Sequence, residues 1–303
     1  MKKISALLVL FFIVITTPEI AFEGCINGLS LFGLKVFPAL FAAFLISSCI
    51  LNLLPQNSSS GYLFIIAAGL LCGFPTGAFC CCTFHDNNKT ETLCEKIMAY
   101  CNISSPSFML NYIYITCLEK SVNLVTFLTV TYVPAIFMIV LICLNHKRKI
   151  SNQVNNKIKP DKKILLKKCT TKSKKDFSDF PSVLDNAVIN SVNSMLKLGG
   201  YIILFSIAAL YIRNLLSFNR FLYSIACGII EITNGLFYIS KEFSSLNFRF
   251  ILTVAINSFG GISTIMQTCG IIKNSGLSIK KYIYHKMIYC LLCTALSIIM
   301  VYA

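Results

Sequence analysis

The chain has 303 residues, of which 56% are hydrophobic and only 13% are charged, and its mean hydropathy is +0.73. A soluble domain carries about 25% charged residues, so the composition excludes an ordinary soluble protein and predicts several membrane-spanning segments. The formal net charge is +15. Residues 146–181 contain 12 lysine and arginine residues against three aspartates, which places +9 in this one segment.

This concentration of charge in residues 146–181 indicates a cytoplasmic loop that follows the positive-inside rule. Electrostatic attachment of the loop to anionic lipid is a second interpretation that the same lysines support. A nucleic-acid-binding domain is not expected, because its basic residues would be distributed over a soluble fold.

Fifteen cysteines are a high count, but most of them lie in apolar segments, where cysteine behaves as a small hydrophobic residue. The consecutive residues Cys80, Cys81 and Cys82 point in different directions around a helix, and no spacing resembles a zinc or iron–sulfur motif. We therefore predict no metal site, no cofactor and no disulfide framework. Whether these three cysteines have a role is left open.

The first membrane segments are predicted from the apolar runs in the N-terminal half. Residues 4–15 follow two lysines and resemble an uncleaved first span that enters from the cytoplasm. Residues 29–54 form a second span, and residues 97–118 and 122–144 form another pair that leads to the basic loop.

Residues 61–84 are apolar but interrupted by Gly73, Pro75 and Gly77. Proline removes a backbone donor and clashes with the preceding helical turn, and glycine lowers helix propensity further. The neighbouring spans already return the chain to the cytoplasmic side, so residues 61–84 must enter and leave on one side. The sequence therefore predicts a re-entrant hairpin that turns at residues 73–78.

In the C-terminal half, apolar residues at helical spacing in residues 183–197 predict an amphipathic helix at the membrane surface. Gly199 and Gly200 then lead into a separate span. Residues 250–272 are apolar but broken at residues 257–264, and the final span covers about residues 282–302.

The two broken stretches have a similar layout, because residues 73–78 and 260–264 are each followed by a helical arm and a polar loop. This similarity predicts an internal repeat, as in many transporters. The predicted fold is an all-α polytopic membrane protein with about six to eight membrane segments and two re-entrant or broken helical hairpins. The predicted organisation is a first half (1–145, with hairpin 61–84), a basic loop (146–181) and a second half (182–303, with broken segment 250–272). The orientation of the second half is left open.

Half-helices that begin at such breaks expose unpaired N–H groups and a positive dipole end, which suit a carboxylate or phosphate. We predict that the solute-binding residues lie at the breaks; they are Gly73, Pro75, Thr76, Gly77, Asn102, Asn257, Gly260, Gly261, Ser263 and Thr264. The alternative is that these polar side chains only satisfy backbone groups that the breaks leave free.

Glu231 lies within an apolar segment and is the acidic residue that we expect in a transport pathway, since intramembrane carboxylates commonly line pathways or carry protons. The alternative is a carboxylate that is paired within the bundle or near an interface. No hydrolytic triad, phosphate-binding loop or metal cage is present in the sequence, so we expect a protein that is not an enzyme.

Four sequence elements resemble one known family. They are Gly73–Ala78 (GFPTGA), Glu231–Gly235 (EITNG), Ser258–Ser263 (SFGGIS) and Pro38 after Lys35–Phe37 (KVFP). Together they are similar to motifs of the sporulation integral membrane protein family of the YlbJ type, in the nucleoside-recognition (Gate) domain superfamily. The sequence departs from the pattern at Phe74, where tyrosine is usual, and at Phe79, where lysine is expected. The chain is also shorter than typical members.

The resemblance implies a fold related to concentrative nucleoside transporters and a role in endospore formation, in moving dipicolinic acid across the outer forespore membrane. The residues by themselves predict a small polar, anionic solute. We expect this solute and membrane lipid as partners, and no nucleic acid; a homo-oligomer is left open. The alternatives are a nucleoside-type transporter and a non-transporting scaffold that assembles sporulation partners through the basic loop.

Overall fold

The computed structural model describes residues 11–12, 14–53, 59–84, 93–156, 180–273 and 275–303. All regular structure in these residues is helical, which confirms the predicted all-α class. Four helical segments of the described chain are long and apolar enough to cross a membrane: Leu124–Arg148, Pro181–Leu215, Leu246–Ile272 and Ile279–Tyr302. The protein is an integral membrane protein. Most of the predicted first span and of the basic loop lie outside the described residues.

In the first half, two long helical stretches enclose shorter helices that are separated by breaks. Its helices are α1 (Pro18–Ser30), α2 (Phe37–Leu53), α3 (Ser59–Cys72), α4 (Thr76–Phe84), α5 (Leu93–Cys101) and α6 (Leu124–Asn156). The π-helix Leu31–Val36 joins α1 to α2. Another π-helix, Phe108–Cys117, precedes α6.

The described residues of the second half form the helices α7 (Phe180–Leu215), α8 (Arg220–Ile230), α9 (Ile232–Glu242), α10 (Leu246–Phe259), α11 (Gly261–Ile272) and α12 (Ile279–Tyr302). Helix α7 continues through Gly199 and Gly200, so the predicted division into a surface helix at 183–197 and a separate span is wrong. The physical reason is packing, because a Cβ at Gly199 would lie 2.6 Å from the ring of Phe32. This close contact offsets the modest cost of glycine inside a helix.

Helices α3 and α4 fold back on each other and form the first hairpin (59–84). The rings of Tyr62 and Phe84, at the far ends of the two arms, lie 5.3 Å apart in an edge-to-face arrangement. The chain turns at Gly73, whose φ is +77°, and at Pro75, which follows a cis peptide bond. The hairpin predicted from the glycines and the proline is confirmed.

Helices α8 and α9 form the second hairpin (220–242), which turns at Glu231. At its open end the Tyr223 hydroxyl donates a 2.6 Å hydrogen bond to Oε1 of Glu242. Near its tip, a Cβ at Gly235 would overlap the backbone of Gly228, so the two arms lie in close contact. The second hairpin therefore lies outside the predicted broken segment 250–272.

Helices α10 and α11 instead run one after the other as a single span that is interrupted at Gly260, a left-handed residue with φ +83°. We call it the second interrupted span (246–272). Helix α5 and the π-helix that follows it form the first interrupted span (93–117), which is broken at Asn102–Ser105.

The two halves repeat one order of elements: a long helix, a hairpin, an interrupted span and a long helix. Asn102 lies 29 positions after Gly73, and Gly260 lies 29 positions after Glu231. The element order therefore pairs Gly73 with Glu231 and Asn102 with Gly260, whereas the sequence prediction paired residues 73–78 with 260–264. Contacts between the halves follow the same symmetry, because α4 packs on α11 and α9 packs on the π-helix Phe108–Cys117.

Candidate binding site at the helix breaks

A cavity of about 290 Å³ lies where the hairpin tips meet the interrupted spans. The lining residues at or near the breaks are Pro75, Ser105, Glu231, Thr264 and Gln267, which come from both halves of the chain. Its remaining wall is mostly apolar or aromatic and consists of Leu31, Val36, Leu40, Phe74, Ser107, Phe108, Asn111, Tyr112, Leu198, Ile202, Ile232 and Thr233. Ligand pockets commonly begin at about 300 Å³, so the cavity has the size for a small molecule.

Each hairpin tip packs on the interrupted span of its own half. In the first half, the Phe74 N–H donates to the Ile103 carbonyl at 2.6 Å, and a Cβ at Gly73 would collide with the Ser105 backbone. In the second half, a Cβ at Gly261 would lie 3.3 Å from the Gly228 carbonyl oxygen. Glycine at positions 73 and 261, both with positive φ, permits this close backbone approach.

The structure brings the predicted site residues together, but only some of them face the cavity. Pro75, Thr264 and Glu231 line it. The other predicted residues are buried in the adjoining breaks; they are Gly73, Thr76, Gly77, Asn102, Asn257, Gly260, Gly261 and Ser263. The Thr76 hydroxyl is buried without a hydrogen-bond partner among the described residues.

Asn102 connects three elements through its side chain. Its Oδ1 accepts a hydrogen bond from the Ala78 N–H at 3.3 Å, and its Nδ2 donates to Thr268 Oγ1 at 3.1 Å and to the Tyr282 hydroxyl at 3.0 Å. Both amide donors and the carbonyl oxygen are therefore engaged within the protein. Asn102 holds the breaks in place, and its side chain is not directed at the cavity.

Asn257 and Ser263 are also engaged within the protein. Ser104 Oγ donates to Asn257 Oδ1 at 2.5 Å, and Gln267 Nε2 donates to Ser263 Oγ at 2.9 Å. For these two residues, the arrangement favours the alternative that polar side chains satisfy groups at the breaks. Gln267 lines the cavity and was missed by the sequence prediction, although an amide in the apolar segment 250–272 was a visible signal.

Four half-helices begin at the breaks, and three of them have a side-chain cap at the N-terminus. Asn102 Oδ1 accepts from Ala78 N of α4, Ser105 Oγ from Phe108 N at 3.2 Å, and Glu231 Oε2 from Asn234 N at 2.8 Å. Helix α11 begins after Gly260 without a side-chain cap among the described residues. The start of α11 is the positive end of its dipole, and Thr264 and Gln267 of the same helix line the cavity.

Glu231 is 4% exposed and is the one charged side chain in the described lining of the cavity. Its carboxylate caps α9, and no basic side chain of the described chain lies within ion-pair distance of it. The neighbouring Tyr112 hydroxyl donates to the Thr233 carbonyl at 2.8 Å and ties the second hairpin tip to the first half. Among the described residues, the Glu231 carboxylate is therefore paired with a backbone donor of its own hairpin and not with a basic side chain.

The fold and the site define a polytopic membrane protein in which two hairpins and two interrupted spans surround one small, partly polar cavity. Among curated proteins, the chain is similar to the sporulation integral membrane protein YlbJ of Bacillus subtilis (strain 168). The two are 23% identical over 95% of this chain and 81% of the relative. This similarity confirms the resemblance to the YlbJ type predicted from the motifs. No family model matches the chain, and no solved structure matches it.

Proposed function

We propose that this protein is a sporulation-associated membrane transporter of a small polar solute. By its resemblance to the YlbJ type, the proposed solute is dipicolinic acid and the proposed location is the outer forespore membrane. The observation that carries the proposal is the cavity at which both hairpin tips and both interrupted spans meet.

The physical argument starts from the cost of broken helices in lipid. Unpaired backbone groups at membrane depth are tolerated only where they are buried in protein or line a cavity. Discontinuous helices from two repeated halves form the solute sites of many secondary transporters, which work by moving one repeat unit against the other. This protein has discontinuous helices, and its two halves repeat one order of elements.

The charge of the cavity restricts how an anion is carried. The described lining contains the Glu231 carboxylate and no lysine or arginine. An ionised carboxylate repels a dicarboxylate solute, and this repulsion disappears when Glu231 binds a proton. We therefore propose that the anion enters together with a proton on Glu231 and directs one carboxylate towards Thr264 and Gln267 on the N-terminal half of α11.

A neutral solute of the nucleoside type is the second candidate, and a specific observation favours it. The described lining of the cavity has an acidic group and no basic one, and it includes the aromatic rings of Phe74, Phe108 and Tyr112. Aromatic faces and hydroxyl groups suit a planar, uncharged, hydrogen-bonding molecule. Competition between dipicolinate and a nucleoside separates the two candidates.

The test is uptake of labelled dipicolinate and of labelled uridine into liposomes that contain the purified protein. We expect dipicolinate uptake to rise with an inward proton gradient. Glu231→Gln should reduce uptake at least about tenfold and remove its dependence on the gradient. Glu242→Gln is the matched control, because it removes a carboxylate at the open end of the same hairpin.

Three results would contradict parts of the proposal. Uptake of neither solute by correctly folded wild-type protein would contradict transport, and uptake of uridine alone would contradict dipicolinate as the solute. Normal proton-dependent uptake by Glu231→Gln would contradict the role of the carboxylate. Deletion of residues 150–178 should leave uptake unchanged; a sporulation defect with intact uptake would indicate the scaffold function.

A further inference from the structure

The last membrane span contains a lysine that the proposed solute cavity does not use. Lys286 is 2% exposed, and its Nζ donates a 2.9 Å hydrogen bond to the backbone carbonyl of Asn102. No carboxylate of the described chain lies within ion-pair distance of this ammonium group. Ionisable side chains within membrane segments are costly, and they usually mark functional sites.

The surroundings of Lys286 are two ends of half-helices. Asn102 directly follows the last residue of α5, so its carbonyl lies at the negative end of that half-helix. Gly260 caps the C-terminus of α10, and a Cβ there would lie 3.7 Å from Cε of Lys286. Asn102 and Gly260 are equivalent positions in the repeat. The lysine therefore reaches the point at which two symmetry-related C-termini meet.

The site is completed by an aromatic ring on the same helix. Lys286 Nζ lies 5.3 Å from the centroid of the Tyr289 ring, a distance at which the negative ring face attracts a cation. Tyr289 is held in place because its hydroxyl donates to the Thr131 carbonyl at 2.9 Å. The thiols of Cys290 and Cys293, on the same helix, also interact electrostatically with the ammonium.

Transporters with discontinuous helices use half-helix C-termini and unwound carbonyls to coordinate a coupling Na⁺ ion. We propose that the Lys286 ammonium is a built-in cation that occupies the equivalent place in this protein, so that no metal cation is required there. The ammonium neutralises the ends of α5 and α10 and holds the two breaks together. The stability measurements that test this assignment are independent of the proposed transport function, and only the flux measurement depends on it.

The first test compares thermal unfolding of the purified protein in sodium chloride and in N-methylglucamine chloride at equal concentration. The wild type should unfold at the same temperature in both salts. Lys286→Ala removes the charge and leaves space, so its midpoint should fall by several degrees, and Na⁺ should restore part of this loss in a concentration-dependent way. Lys286→Arg should remain insensitive to Na⁺, because it retains the charge.

Lys281→Ala is the matched control, since Lys281 lies on the same helix but forms a half-exposed ion pair with Glu95. It should show no specific response to Na⁺. A Lys286→Ala variant that Na⁺ does not stabilise would overturn the proposal, and so would a wild type that Na⁺ stabilises specifically. If Lys286→Ala does not fold, Lys286→Gln provides the same comparison with a smaller cavity.

The second test is solute uptake by the wild type when all Na⁺ is replaced by N-methylglucamine. Unchanged uptake is expected, and a requirement for Na⁺ would overturn the built-in cation. An absence of uptake in both salts would instead contradict the proposed transport function, while the unfolding comparison still decides the role of Lys286.

Discussion

Ser104 Oγ donates a 2.5 Å hydrogen bond to Oδ1 of Asn257, and this contact joins the two interrupted spans across 153 residues of sequence. Both side chains are buried. A buried polar group that loses its partner costs about 1–3 kcal/mol. The contact therefore holds the two halves together directly beside the cavity.

We predict that Ser104→Ala lowers the free energy of unfolding by about 1–3 kcal/mol, because Asn257 Oδ1 is then left unsatisfied. Denaturant unfolding of the purified protein measures this change. Ser107→Ala is the control, since Ser107 is exposed. In the double variant Ser104→Ala/Asn257→Leu, the loss should be smaller than the sum of the single losses, and simple additivity would argue against the coupling.

A second prediction concerns the tip of the first hairpin. Gly73→Ala should prevent stable folding or lower the unfolding midpoint strongly, because φ is +77° and a Cβ would collide with the Ser105 backbone. Gly200→Ala is the matched control, since no atom beyond the adjoining backbone of α7 lies within 4 Å of its Cβ position. Alanine at position 200 should raise the free energy of unfolding by about 0.5–1 kcal/mol. Equal effects of the two changes would refute the close packing of the tip.

A third prediction concerns the contact between Tyr112 and the second hairpin tip. Tyr112→Phe removes the hydrogen bond to the Thr233 carbonyl and should lower stability by about 0.5–1.5 kcal/mol. It should also weaken solute binding, because the tip that carries Glu231 is held less firmly. Tyr114→Phe lies on the same π-helix and is the control. Unchanged affinity in Tyr112→Phe would show that the contact is only structural.

A fourth prediction tests Gln267, which lines the cavity. Gln267→Leu keeps a similar volume but removes the amide, so solute affinity should fall about tenfold if one hydrogen bond of about 1.4 kcal/mol is lost. Isothermal titration with dipicolinate measures the affinity. Thr294→Val is the control, because this hydroxyl donates to a carbonyl within its own helix. An unchanged dissociation constant would exclude Gln267 from the solute site.

The first hairpin was predictable because glycine and proline interrupt it, and these residues break helices in any context. The second hairpin was not, because Ile230, Glu231 and Ile232 lie in a sequence without proline at the turn. There the chain turns at an extended residue, with φ −143°, and the Glu231 carboxylate caps the next helix. A glutamate inside an apolar run gives no local signal of that geometry.

The site was predicted at the level of the breaks but not of each side chain. Thr264 and Asn257 lie at the same break, yet one faces the cavity and the other bonds Ser104 of the opposite half. Such partners are more than 150 residues away, so spacing along one helix does not reveal them. For the same reason, the sequence did not reveal the environment of Lys286, whose Nζ donates to the carbonyl of Asn102.

The missing side-chain cap at the start of α11 introduces an asymmetry into a duplicated scaffold. Two equivalent halves would offer a solute equivalent pairs of helix N-termini, but three of the four N-termini are already capped by side-chain oxygens of the protein. The cavity lining is asymmetric as well, because its aromatic side chains, Phe74, Phe108 and Tyr112, come from the first half, whereas Glu231, Thr264 and Gln267 come from the second. The solute that we propose therefore meets two chemically different sides, so a fold built by repetition acquires a direction.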